Sequence, residues 1–263
     1  MNRVDLIRLK TKRANKHIAE LQTAILAFKA TDPHEVSAKR DPQTRKLIYY
    51  VHKADPVPDD IALIAGDVLQ NLRSAVDHLA YQLVLAAGNT PDTSTSFPIF
   101  DTPDKYKSGV QGKVKGMAET AVKAIDIVEP YQGGKGEILW RIHRLNNIDK
   151  HRLIFTCGIA PSQFNFGRHI GVERLTEFVE TYGISALPQF PDAFIDFPSR
   201  KMLKVGDELF IDKPDAEINE DIQFLLDIAF NEPGIAEGES IIETLQSAAD
   251  FAENLISDFT PLF

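Results

Sequence analysis

Two short stretches hold the side chains best suited to chemistry. The first is Asn71-Leu72-Arg73-Ser74-Ala75-Val76-Asp77-His78, and the second runs from Arg141 to Arg152 and contains Arg144, Asn147, Asp149 and His151. An imidazole titrates near neutrality and can take up or deliver a proton during a reaction. A guanidinium can grip anionic oxygens through two parallel hydrogen bonds and stabilise developing negative charge. Arg73 and His78 are therefore the candidate catalytic pair. Asn71, Ser74 and Asp77 stand close enough in sequence to orient the imidazole, and Arg144, Asn147, Asp149 and His151 form a supporting set. Each stretch also has a purely structural explanation. Arg73 and Asp77 are spaced as an ion pair along one helix, and Lys150, His151 and Arg152 suit the negative end of a helix dipole.

Other chemistries find less support. His17, His78, His143 and His151 lie on or beside three predicted helices, and helical bundles do host His and carboxylate metal sites. However, no HExxH or Glu-x-x-His pair accompanies them. Gly133-Gly134-Lys135-Gly136 precedes a helix but lacks the spacing of a phosphate-cradling loop. The single cysteine, Cys157, excludes a disulfide framework and reads as a strand residue. No cofactor and no metal is expected, although a His-ligated metal protein in a helical bundle is a third reading beside catalysis and structure.

The elements that must position these residues centre on Ile61 to Ala87. Ile61, Ala65, Val68, Leu72, Ala75, Leu79, Leu83 and Ala86 recur at helical spacing, and Ile64, Val76 and Ala80 widen the stripe. Asp67, Asn71, Ser74 and His78 share a polar strip, with Arg73 and Asp77 beside it. Burying such a strip requires a partner for each group.

The rest of the chain is laid out around this helix. Asn2 to Ala30 predicts an amphipathic helix, followed by a hairpin from His34 to Lys53 that turns at Arg40-Asp41-Pro42-Gln43. The loop after the central helix contains Phe97-Pro98-Ile99-Phe100, an apolar plug that should dock against the core. Pro103 to Val128 is helix-like but weakened by Gly109, Gly112 and Gly116, and Gly136 to Lys150 predicts a further helix. Strands are expected at Leu153–Ala160, Phe190–Phe197, Lys201–Val205, Glu208–Asp212 and Ile222–Phe230, with Gly206-Asp207 joining the third to the fourth. Arg168 to Tyr182 fits helix and strand equally, and Ile235 to Ile256 predicts a closing helix.

These elements make an α+β protein, mainly a helical bundle, with an antiparallel sheet inserted before the C-terminal helix. The expected organisation is one domain over 1–263, with the bundle built from 1–150 and 235–258 and the β-rich insertion at about 151–230. In such a bundle the inward faces of two helices meet, which would bring His78 and His151 to a common pocket.

The chain has 263 residues, 43% of them hydrophobic and 25% charged, which suits a globular core. The N-terminus lacks the apolar stretch of a signal peptide and no run approaches membrane-spanning length, so a cytoplasmic protein with no membrane contact is expected. Charge is uneven: residues 191–263 hold 17 Asp/Glu against 4 Lys/Arg, whereas Lys105 to Arg152 has ten basic and five acidic residues. Net acidity (−9) disfavours nonspecific coating of DNA but is compatible with a basic RNA-facing patch on the N-terminal part. The acidic C-terminal part is suited to binding another protein.

GDVLQNLRSAVDHLAYQLV, followed by FPIFDTPDKY, EPYQGG and LNNIDKHR, resembles a widespread group of bacterial proteins that share these segments in this order. More broadly, the bundle resembles the HEPN superfamily, helical proteins many of which are metal-independent RNases of toxin and defence systems. Their motif is Arg, four to six residues, then His; Arg73 and His78 are separated by four residues, and Arg144 and His151 by six. Where that superfamily usually has Asn, His or Asp after the Arg, this chain has Ser74 and Leu145. The resemblance implies that Arg73 and His78 act on the RNA phosphodiester and that a homodimer brings two sites together.

Overall fold

The computed structural model of the chain describes residues 2–152, 156–165, 194–197 and 200–263. Its class is α+β, with antiparallel strands preceding the last helix. Two compact units are present: Met1–Ala24, Asp59–Phe155 and Ile241–Phe263 make the first, and Ile25–Pro58 with Thr156–Ser240 the second.

The first unit is helical. It contains most of α1 (Arg3–Lys29), then α2 (Asp59–Ala86), α3 (Pro103–Lys113), α4 (Glu119–Val128), α5 (Glu137–Arg152) and α6 (Ile241–Phe259). The apolar stripe of α2 is its centre: Ala65, Val68, Leu72, Ala75 and Leu79 are wholly enclosed. Leu69, Val76, Ala80 and Val84 form a second enclosed row, while Ile64 is only half-buried. α2 packs against both α5 and α6. From α1, Arg8 Nε and the Thr11 hydroxyl donate to the two carboxylate oxygens of Glu253 on α6, at 2.6 and 2.8 Å.

The expected plug is in place. Phe97, Pro98 and Ile99 are buried, with the Phe97 ring edge-on to Phe259 at 6.4 Å. Downstream, Thr102 caps α3 by accepting the Lys105 N–H, and Pro103 occupies a first-turn position that needs no amide donor. The helix-like run 103–128 is two helices, because Gly116 adopts φ +86°, a left-handed conformation that ends α3 and re-aims the chain into α4.

The second unit holds two antiparallel three-stranded sheets. The first has the order β1 (His34–Arg40), β2 (Lys46–Ala54), β5 (Glu208–Pro214); the second has the order β4 (Ile195–Asp196), β3 (Cys157–Asn165), β6 (Gln223–Phe230). Tyr49 pairs with Phe210 in the first sheet, and Cys157 with Phe230 in the second. The N-terminal hairpin is thus one sheet with β5, which comes from the β-rich stretch.

Several boundaries differ from expectation, among them that of β3, which begins at Cys157 and continues past Ala160 to Asn165. Lys201–Val205 is not a strand. The Val51 N–H and C=O are already bonded to Asp207 and Gly206, so β5 is laid along β2, and Leu203 donates to Ile159 on β3 instead. Among the described residues, the strand expected over 190–197 is confined to Ile195–Asp196. The closing helix starts at Ile241 and not at Ile235, because Pro233, Gly234 and Gly238 support successive turns over 232–239. The ambiguous stretch 168–182 lies outside the described residues, as do 153–155 of the strand expected at 153–160.

Candidate functional site

α5 runs antiparallel to α2, and two contacts set the alignment. His143 on α5 lies within electrostatic range of Arg73 on α2. Six residues further along α5, the Asp149 carboxylate packs on Gly66, where a Cβ would come within 2.7 Å of Asp149 Oδ1. Gly66 is therefore small because a carboxylate occupies the space its side chain would need.

Along this seam Arg73 is 9% exposed. Its Nη2 lies 2.9 Å from Asp77 Oδ1 and donates to the Phe97 carbonyl at 3.4 Å. Asp77 Oδ1 in turn accepts the Phe97 N–H at 3.0 Å. The three groups close a ring that fastens the apolar plug to α2. Burial pulls the Arg73 pKa below its ordinary value, with Asp77 opposing the shift. Nη1 of the same guanidinium is buried and has no protein partner.

His143 faces the same seam. Asn147 Nδ2 lies 3.1 Å from His143 Nε2, so with the amide donating, the neutral ring carries its proton on Nδ1. That Nδ1 is buried and has no protein partner. Burial, then the positive charge of Arg73, lowers the His143 pKa to about 4, with Asp101 opposing. Asn146, 1% exposed, has an unpaired buried Oδ1. Each such unmet group costs about 1–3 kcal/mol, so three on two neighbouring helices call for an explanation.

At the rim, Asp101 accepts the Trp140 indole N–H at 3.2 Å and the Lys105 ammonium at 2.8 Å, while Arg144 stands 3.9 Å away. Lys105 first, then Trp140, holds the Asp101 carboxyl below its ordinary range. Asp149 is shifted the other way, upward, by burial and by the nearby charge of Asp67.

The remaining candidates are placed differently. His78 is exposed, and the five-residue step from Arg73 turns it roughly 140° around the helix. Asn71 is half-buried and donates to the Asp67 carbonyl one turn back, at 2.8 Å. Ser74, also half-buried, accepts from Gln70 at 3.4 Å. Arg144 and His151 are exposed. With Asp149 beside Gly66, His151 lies near the start of α2, roughly 20 Å along the bundle from His78 at 1.5 Å per residue. The two histidines do not share a pocket.

Asn146, Asp101 and Trp140 were not among the expected site residues, and His143 was considered only as a metal ligand. The signal for Asn146 was present: Leu139, Ile142, Asn146 and Asp149 follow helical spacing along one face of α5. Elsewhere, burial and the charge of Glu232 push the half-buried Cys157 thiol up to about 12, far from nucleophilic use.

Among the described residues, no group of three His, Cys, Asp or Glu stands where it can hold a metal ion, and no helix is long and apolar enough to cross a membrane. Compared with protein-family models, curated proteins and solved structures, the chain finds no match.

Proposed function

We propose that this chain is a HEPN-like RNA-acting protein, a metal-independent endoribonuclease in which His78 moves the proton and the Arg73–Asp77 pair holds the helix that presents it. The observation that carries this reading is the place of His78 on the exposed face of α2, one residue beyond the Arg73–Asp77 pair that ties the helix to Phe97. The helical unit has 17 Lys and Arg against 18 Asp and Glu, so it is the less acidic of the two units and its basic stretch Lys105 to Arg152 is the part suited to a phosphate backbone. In the reaction, the imidazole takes the proton of a ribose 2′-hydroxyl, whose oxygen attacks the adjacent phosphorus. The 5′-oxygen leaves and receives a proton from a second imidazole, supplied by a second copy of the chain. The products are a cyclic phosphate and a free 5′-hydroxyl, with no metal required.

A second reading is a non-catalytic protein-binding module whose Arg/His/Asp network is structural. It is favoured by the enclosure of Arg73, whose Nη2 is committed to Asp77 and Phe97. Labelled single-stranded RNA incubated in EDTA separates the two. The RNase reading expects cleavage that His78→Ala abolishes without loss of folding. The module reading expects no cleavage by the wild type and a large stability loss in Arg73→Met.

A further inference from the structure

Among the described residues the outer edge of β1 has no partner strand, and that of β6 is paired only at Ala229 and Phe230, which bond to 238–240. Both border one cavity of about 730 Å³, which Val36, Ser37 and Ala38 line from β1 and Phe224, Leu225 and Leu226 from β6. An edge strand points the N–H and C=O groups of alternate residues away from its sheet, ready to pair with another chain. Two such edges facing one cavity leave a slot with the chemistry of a missing strand.

The slot has a built floor. The rings of Tyr49 and Phe224 lie 5.8 Å apart, packed with Leu47, Ala216 and Ile222. The Tyr49 hydroxyl accepts the Asn219 N–H at 2.8 Å, so what the ring offers upward is its apolar face. β1 carries protection against pairing at its two ends only. A bulge falls between Glu35 and Val36, and Lys39 and Arg40 follow, leaving Val36-Ser37-Ala38 uncharged between them.

Charge selects the occupant. Of the charged residues around the slot, Lys29 is paired with Asp227 at 3.2 Å, and neither Asp32 nor Glu220 has an ion-pair partner among the described residues. The unit as a whole has 12 Lys/Arg against 20 Asp/Glu.

We propose that this slot binds an extended basic segment of a partner protein, added as a strand between β1 and β6. Alternate apolar side chains rest on Tyr49 and Phe224, and lysines or arginines reach Asp32 and Glu220. The backbone supplies affinity, and the alternation supplies selectivity. This site is separate from the α2–α5 seam and does not depend on how that seam is read.

The test uses the full chain and a fluorescein-labelled octapeptide of alternating valine and lysine. Its two controls are the same peptide N-methylated at two central amides and an alternating valine–glutamate peptide. Saturable binding of the first is expected, weakened about tenfold or more by N-methylation, which removes the strand donors and keeps the charge. Glu220→Lys combined with Asp32→Asn, which keeps a residue suited to the left-handed φ of +50° there, is expected to weaken it about tenfold with unchanged thermal stability. Bound peptide should slow amide exchange at 36–38 and 223–226. Equal binding of the methylated or the acidic peptide, or no binding of the basic one, would overturn the proposal. So would a dimer that protects those amides without peptide, which would assign the slot to a second copy of the chain.

Discussion

Arg73, His143 and Asn146 in the helical unit keep three unmet polar atoms inside the core, whereas the second unit has one such atom, His34 Nε2 at the start of β1, and borders an open slot with the edges of β1 and β6. The first arrangement makes stability sensitive to single side chains, because a buried group that loses its partner bears its full desolvation cost. The second leaves stability almost indifferent and makes binding sensitive, because an edge already satisfied by water loses little when altered. Polar residues on α2 repeat the contrast within one helix: Arg73 faces inward as part of the fold, and His78 faces outward.

The largest effect is expected at Arg73. Arg73→Met keeps the length of the side chain but strands the Asp77 carboxylate and the Phe97 carbonyl, and should cost about 2–3 kcal/mol in urea unfolding, moderated by the partial exposure of Asp77. A loss of under about 0.5 kcal/mol would place Arg73 outside the stability core.

Next comes pH. The folded state holds His143 near 4 against an ordinary value of 6.5, so the folded protein prefers the neutral ring. Its stabilising contribution is complete above pH 6.5 and is lost as pH falls toward 4. This amounts to about 2 kcal/mol once its half-exposed edge is allowed for. Asp149, shifted upward, works against this at the acid end, since its protonation relieves a buried charge. Unfolding followed from pH 7 to pH 5 should show the decline in the wild type and a flatter line in His143→Gln. Parallel lines would remove His143 from the buried seam.

A smaller effect is expected from Gly66→Ala, about 1 kcal/mol, as the displaced Asp149 carboxylate outweighs the gain in helix propensity. A stabilised variant would mean that α2 and α5 are not so closely packed there. The smallest changes in stability, within about 0.5 kcal/mol, are expected for Ser37→Lys on the β1 edge and for His78→Ala. Ser37→Lys should nonetheless abolish binding of the basic peptide, which sharpens the division between a unit whose polar groups stabilise and one whose polar groups bind.

The sequence made the enclosed stripe of α2, the docking of Phe97, the first hairpin and the α+β class readable, because each depends on local periodicity or turn chemistry. The strip of Asp67, Asn71, Ser74 and His78 was also readable, but its direction was not. Asp67 and His78 are exposed and Asn71 and Ser74 half-buried, while the neighbouring Arg73 turns inward. Which side of a helix faces solvent depends on what packs beside it, and the position of α5 is not encoded within α2. The same reason explains Lys201–Val205: the Leu203 N–H is claimed by the Ile159 carbonyl, and the expected turn residues Gly206 and Asp207 are bonded to Val51, about 150 residues away in the chain. His143 and Asn146 were legible as helix residues but not as members of the seam, since their unmet atoms become evident only once α2 is set against α5.

The role of His78 is decided by cleavage of labelled single-stranded RNA in EDTA by the wild type and by His78→Ala, with thermal unfolding of both followed in parallel. Expected are cleavage by the wild type, a 5′-hydroxyl product, and loss of activity in a variant that melts at the same temperature. An inactive wild type, or a His78→Ala protein that cleaves as well as its parent, would contradict it.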